Sequence, residues 1–325
     1  MNEINIFFFL ICIINLLFVY NVSIISKLIN IYDHPNSRKI HKKKVPLLGG
    51  FLFILSILFY AFFNQFQINY KDDFINLLLI LFLVIFFVIG FIDDKFELSS
   101  MKKILLFLFF LFFLVYSNEN LQIQNLKFQT LDKSLELKEF NVLFSIFCIF
   151  LFLNAFNMYD GINGQSGIYT IIIFTYFLLK DINFYLSALI ILTSLFFVFS
   201  NLKNKFFLGN SGSLLLALLI SVIIINGYND AKISNCEEIF VLLMLPGIDM
   251  ARLFIQRILY KKNPFKADSN HFHHILLKKY SSTNVIIINS SITLFSIIML
   301  YLDFQTYIII SLFMVIYIYL LMKNS

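Results

Sequence analysis

Polar residues punctuate this chain in clusters and leave long apolar runs between them. Uncharged or nearly uncharged stretches fall at about 4–26, 47–66, 74–92, 104–117, 140–156, 166–179, 182–200, 213–228, 239–256, 284–302 and 304–322. A helix crossing the hydrocarbon core of a bilayer takes about 20 apolar residues. The runs therefore predict an all-α polytopic membrane protein with about 10 or 11 transmembrane helices joined by short loops. The last two are separated only by Asp303. The first has no basic segment before it and no small-residue cleavage site after it, which predicts a retained membrane helix.

Composition excludes the alternative of soluble domains. At 60% hydrophobic and 14% charged residues, with a mean hydropathy of +0.85, the chain lacks the polar surface such domains need. Its 43 Phe read as lipid-facing bulk. The three cysteines, Cys12, Cys148 and Cys236, are scattered, which points to neither a disulfide framework nor a metal site. With alternating loops, 18 of the 25 Lys and Arg lie at or beside the loops that follow the first, third, fifth, seventh and ninth runs. The positive-inside rule makes that side cytoplasmic. The net charge of +6 is then mostly topology, and a nucleic-acid partner is unnecessary. With no repeat and no flexible linker, residues 1–325 are assigned to a single integral-membrane domain.

Five polar clusters sit on the basic side. Asp33-His34-Pro35-Asn36-Ser37-Arg38-Lys39-Ile40-His41 runs on to Pro46 and Gly49-Gly50, and sets Arg38, Lys39 and His41 between two prolines, a loop able to hold cationic donors against phosphate. Gly90-Phe91-Ile92-Asp93-Asp94 ends the third run. Two carboxylates at a helix C-terminus oppose the macrodipole and each other, have no stabilising role there, and point to a cation or to proton transfer. Asn154, Asn157, Asp160, Gly161, Asn163 and Gly164 crowd one short loop, read either as backbone folded around a polar ligand or as an Asx-Gly turn. Gly209-Asn210-Ser211-Gly212-Ser213 precedes an apolar helix; it is a simple cap or a seat for a diphosphate on free N–H groups. The fifth cluster holds Pro246, Asp249, Arg252 and Arg257 and runs from Pro264 to His271, His273 and His274. Zinc on His271 and His274 is one reading, and a phosphate or sugar site using imidazole donors fits the surrounding lysines better.

In this order and on one side, the five clusters resemble those of the polyprenyl-phosphate N-acetylhexosamine-1-phosphate transferases, glycosyltransferase family 4, over residues 30 to 280. The matching motifs are D-x-P-x-x-R-K-x-H, the Asp-Asp pair, N-x-x-N-x-x-D-G, G-x-S-G-S, and P-x-x-D-x-x-R with D-x-x-H-x-H-H. The undecaprenyl-phosphate N-acetylglucosamine-1-phosphate transferases are members, as, more distantly, is the phospho-N-acetylmuramoyl-pentapeptide transferase of wall synthesis, and the H-x-H-H ending resembles the former. The resemblance implies a bacterial cytoplasmic-membrane enzyme whose loops face the cytosol. It implies that polyprenyl phosphate attacks the β-phosphorus of a UDP-N-acetylhexosamine with Mg²⁺ or Mn²⁺, releasing UMP and initiating a surface glycan such as a lipopolysaccharide O-antigen. It further implies catalytic roles for Asp93, Asp94 and Asp160, metal ligation by Asp160 and Asn210, and substrate binding by Arg38, Lys39, His41, Asn157, Asn163, Arg252, His271, His273 and His274. At Asn210 and Asn163 the family usually has Asp, so this chain has lost negative charge there. The rival readings are a lipid-linked-sugar flippase, disfavoured because the charges lie at helix ends, and an inactive scaffold of the same fold. Homo-oligomerisation is left open.

Overall fold

The computed structural model describes residues 3–35, 43–66, 77–262 and 270–324. Every apolar run becomes a helix, because hydrocarbon leaves the backbone no other way to satisfy its N–H and C=O groups within one segment. In chain order these are α1 (Glu3–Tyr20), α2 (Val22–Ile29), α3 (Gly49–Phe66), α4 (Leu77–Phe96), α5 (Ser100–Tyr116), α6 (Asn141–Tyr159), α7 (Gln165–Leu179), α8 (Phe184–Leu202), α9 (Gly209–Asn229), α10 (Cys236–Leu259), α11 (Phe272–Leu277), α12 (Ser282–Tyr301) and α13 (Thr306–Asn324). Among the described residues six of them, α4, α6, α8, α9, α12 and α13, are long and apolar enough to span a bilayer on their own. The first run differs from the expected straight span: it bends by 68° after Tyr20, dividing α1 from α2. Helices α3 and α7 are shorter apolar helices, and α10 carries Pro246, Asp249 and Arg252 within its 24 residues.

The chain divides into two compact units, Met1–Leu98 with Ser166–Leu219, and Ser99–Gln165 with Ile220–Ser325. In the first, α3 packs on α1, α4 and α8, with Leu52, Phe53, Ile57, Leu83, Phe86 and Phe197 fully or almost fully buried. A two-residue ribbon of β1 (Tyr32–Asp33) and β2 (Val45–Pro46) leads into α3. In the second, α10 packs on α6, α12 and α13, while α11 packs on α12 and α13.

The second unit also holds a feature absent from the sequence reading, an antiparallel hairpin of β3 (Asn125–Phe128) and β4 (Lys133–Glu136). It is pinned at several points. The Glu237 carboxylate accepts the N–H groups of Gln129 and Thr130, each at 3.1 Å, and the Thr130 hydroxyl at 2.8 Å. The Tyr228 hydroxyl accepts the Lys127 N–H at 2.7 Å and donates to the Asn125 carbonyl at 2.8 Å. The start of α10 is capped by Asn235, whose side chain accepts the Glu238 N–H at 2.8 Å.

Candidate active site

In the first unit, three of the sequence clusters turn out to be one packing junction. The segment before α3 pairs with the segment before α9: Phe207 donates its N–H to Pro46, and Leu48 and Gly49 donate theirs to Phe207. Gly49 and Gly50 are glycines for lack of room. A β-carbon at Gly50 would lie 2.6 Å from the Gly212 nitrogen, and one at Gly49 would lie 2.6 Å from the Leu208 α-carbon. Gly90 on α4 likewise faces the backbone of Asn210 and Ser211 with no space for a side chain. These close approaches bring the end of α4 against the start of α9.

That approach decides what the Asp pair does. Asp94 accepts the Asn210 N–H at 2.8 Å on Oδ1 and the Ser211 N–H at 3.1 Å on Oδ2. A carboxylate from α4 thus caps α9, satisfying N–H groups at the positive end of its dipole. Gly209, at φ +74°, takes the left-handed turn that aims those groups, and a β-carbon there would sit 2.7 Å from Asp94 Oδ2. Asp93 is buried, and its Oδ1 accepts the Leu98 N–H at 2.9 Å. The expectation that the pair has no stabilising role is therefore corrected. Of the two readings of the Gly209–Ser213 segment, the structure favours a capped helix start, with Asp94 rather than a diphosphate on the Asn210 and Ser211 N–H groups. Asp94 also borders a cavity of about 520 Å³ whose lining includes Tyr32, His34, Lys44, Lys95 and Glu97. The Lys44 ammonium lies 4.7 Å from the centre of the Tyr32 ring. Arg38, Lys39 and His41, the expected cationic donors of this loop, lie outside the described residues.

The second unit brings together the third and fifth clusters. Asn157, Asp160 and Asn163 are half-buried at the end of α6 and in the turn into α7. Gln165 holds this turn from behind, donating to the Tyr159 carbonyl at 2.6 Å and accepting at 2.8 Å from Asn289 of α12, which is 1% exposed. Gly161 faces the imidazole edge of His273, where a β-carbon would overlap Nε2. His273 is 2% exposed. Burial, reinforced by His274 and His271, holds its pKa down to about 3, so it is a neutral ring packed against the loop. The three histidines form one group, with His271 and His273 stacked at 5.4 Å and His273 and His274 at 4.4 Å.

Asp249 organises this cluster, a role the sequence reading did not assign to it. Its Oδ1 accepts from Arg252 Nη2 at 2.7 Å, from the Phe272 N–H at 3.0 Å and from the Tyr317 hydroxyl at 3.1 Å. Its Oδ2 lies 3.2 Å from His271 Nδ1. A carboxylate only accepts, so His271 carries its proton on Nδ1 and turns Nε2 away from Asp249. Arg252 donates in addition to the Asn270 carbonyl at 2.6 Å. The zinc reading finds no third ligand beside His271 and His274 among the described residues. Among the described residues no three His, Cys, Asp or Glu side chains are grouped to hold a metal ion. The oxygen donors present match Mg²⁺ better, since it commonly takes one or two protein carboxylates and completes its octahedron with water and phosphate.

Comparison with known proteins places these features in context. The model of the family described as glycosyl transferase family 4 matches residues 76–228. A protein of Petrotoga mobilis named phospho-N-acetylmuramoyl-pentapeptide-transferase is 33% identical over 264 residues, covering 76% of this chain and 80% of its own length. An undecaprenyl-phosphate alpha-N-acetylglucosaminyl 1-phosphate transferase of Thermotoga maritima is 28% identical over 279 residues, with 84% and 82% covered. A probable undecaprenyl-phosphate N-acetylglucosaminyl 1-phosphate transferase of Bacillus subtilis is 27% identical over 253 residues, with 75% and 69% covered.

Proposed function

This chain belongs to glycosyl transferase family 4, and from that premise we propose that it transfers an N-acetylhexosamine 1-phosphate from a UDP-sugar to polyprenyl phosphate. The products are polyprenyl-diphospho-sugar and UMP, and the lipid-linked product starts a surface glycan. The observation that carries the reading is the meeting of the third and fifth clusters at Gly161 and His273. That contact sets amide, carboxylate, imidazole and guanidinium groups within one unit, the inventory needed to hold a nucleotide diphosphate.

In the reaction, an oxygen of the lipid phosphate forms a bond to the β-phosphorus, and the bridging P–O bond breaks with its electron pair leaving on UMP. Asp93 and Asp94 orient the acceptor phosphate or take its proton. The two N–H bonds on Asp94 fix its direction. Arg252 and His271, both held by Asp249, offset charge on the donor phosphates, and Asn157 and Asn163 read the nucleotide or sugar by hydrogen bonds. Mg²⁺ or Mn²⁺, held by Asp160 and the donor diphosphate, would neutralise charge on the phosphates. The enzyme works in a bacterial cytoplasmic membrane, where the lipid arrives laterally and the nucleotide from the cytosol.

The Petrotoga mobilis relative supports a second donor, a UDP-N-acetylmuramoyl-pentapeptide. Purified protein supplied with undecaprenyl phosphate, Mg²⁺ and each UDP-sugar in turn tests both readings by release of UMP. UMP formed only with UDP-N-acetylglucosamine or a close N-acetylhexosamine supports the first. Release only with the muramoyl-pentapeptide nucleotide replaces it with the second, and release with neither overturns the function.

A further inference from the structure

The C-terminal helix α13 lies beyond both the motifs and the residues matched by the family model, yet one of its side chains reaches the centre of the His cluster. Tyr317 is 2% exposed. Its ring packs on Phe272, with centres 4.6 Å apart, and stacks on Phe313 at 5.8 Å. Its hydroxyl makes two bonds of opposite sense. It accepts from Arg252 Nε at 3.1 Å and donates to Asp249 Oδ1 at 3.1 Å. A hydroxyl can do both at once, whereas a carboxylate or an ammonium cannot. Arg252 is therefore fixed at two edges: Nη2 by Asp249 and the Asn270 carbonyl, Nε by Tyr317.

We infer that Tyr317 is a positioning residue, which holds the Arg252 guanidinium through Nε and the Asp249 carboxylate through Oδ1 so that Arg252 and His271 meet the donor phosphates in one fixed arrangement. The inference rests on the function proposed above. Asp249 is held by Arg252, His271, Tyr317 and the Phe272 backbone, and all of these except Arg252 lie outside its own helix. Removing the tyrosine hydroxyl leaves Arg252 Nε without its partner and lets the guanidinium turn about its remaining bonds. The effect falls on substrate binding, because the tyrosine itself touches no reacting atom.

The test is Tyr317→Phe, which keeps the ring stack and deletes the hydroxyl. Loss of one hydrogen bond of this kind corresponds to about a three- to tenfold rise in the KM for the UDP-sugar, with kcat little changed. A fall in kcat at unchanged KM overturns the positioning role. A second readout needs no turnover: phenylglyoxal modification of Arg252, followed by mass spectrometry of its peptide, proceeds faster in Tyr317→Phe if the hydroxyl restrains the guanidinium. An unchanged modification rate in a folded variant overturns the inference. Tyr317→Leu, which also removes the ring stack, reports separately on folding through its thermal midpoint. Absence of UMP release by the wild type would count against the function, and the modification rates would still decide whether Tyr317 restrains Arg252.

Discussion

Asp94 Oδ1 lies 2.8 Å from the backbone N–H of Asn210, a residue 116 positions further along the chain. The same carboxylate that the proposed chemistry places at the acceptor phosphate is therefore also the N-terminal cap of α9. Most of α9 is buried, 94% of its spanning window, so a weakened cap is felt in the core of the protein.

Asp94→Asn should lose activity and stability together. An amide keeps one acceptor oxygen and turns the other position into a donor facing the Ser211 N–H. The loss of a cap costs about 0.5–2 kcal/mol, and loss of a general base slows turnover on the order of 10²–10⁴-fold. UMP release and thermal unfolding in detergent measure the two effects. Wild-type turnover with a lowered thermal midpoint would leave Asp94 as a cap and nothing more.

At Gly161 the constraint is steric. Gly161→Ala places a methyl group into the His273 ring, and overpacking of this kind typically costs about 1–3 kcal/mol. The double variant Gly161→Ala with His273→Ala makes room for the methyl group. It should recover part of the thermal midpoint lost by the single variant, whereas simple additivity of the two losses would show that the contact is not what limits the site.

His273 also makes a prediction about pH. Its folded-state pKa, depressed to about 3, lies below the ordinary value of about 6.5 for an unfolded chain. The unfolded state then binds the additional proton below pH 6.5. The stability linked to this ring is fully present above that pH and declines as pH falls towards 3, by at most about 1.4 kcal/mol per pH unit. Asp249, His271 and His274 face the same cluster, so the isolating measurement compares wild type with His273→Phe from pH 7 to pH 4. Parallel unfolding curves would mean that His273 contributes nothing to the acid limb.

The eleven apolar runs were legible because a membrane span hides its backbone only as a helix, and length and hydropathy suffice to find one. The bend at Asn21 was not, since no Pro or Gly marks it and the apolar run continues through Ile24 and Ile25. The hairpin carries a weak two-residue alternation at Leu126 and Phe128, with Leu126 opposite Leu135, too short to stand out in a loop. Motif reading singled out Asp93, Asp94 and the histidines as chemistry but missed what they hold in place. Asp94 acts on a helix more than a hundred residues away, and nothing local to Gly90–Asp94 records its partner. Tyr317 is one of 16 tyrosines, in an apolar span without a polar neighbour to mark it, and its role follows only from the packing of α13 beside α10 and α11.

Topology offers an independent check. Single cysteines at Glu97 and Lys203, which flank the polar junction of the first unit, should be labelled only from the cytosolic side of sealed vesicles. One at Lys133, on the hairpin, should be labelled only from the opposite side. The native Cys12, Cys148 and Cys236 are partly buried and serve as the background to subtract. Labelling of Glu97 and Lys133 from one side would contradict the alternation on which the positive-inside assignment rests.

The most discriminating variant is Asn210→Asp, which supplies the carboxylate that the family resemblance implies at this position. Its backbone N–H already bonds to Asp94, so the new carboxylate enters the first turn of α9 close to an existing one. The helix dipole favours it, while repulsion from Asp94 opposes it. Without divalent cation the variant should unfold at a lower temperature than wild type. Mg²⁺ or Mn²⁺ bound beside the introduced carboxylate would relieve the repulsion, raise the variant's midpoint more than that of wild type, and lower the metal concentration needed for half-maximal UMP release. The two measurements are a thermal melt with and without cation and a metal titration of activity at fixed substrate. Equal cation shifts and overlapping titrations in the two proteins would show that position 210 is only part of the helix start and that the metal is held elsewhere.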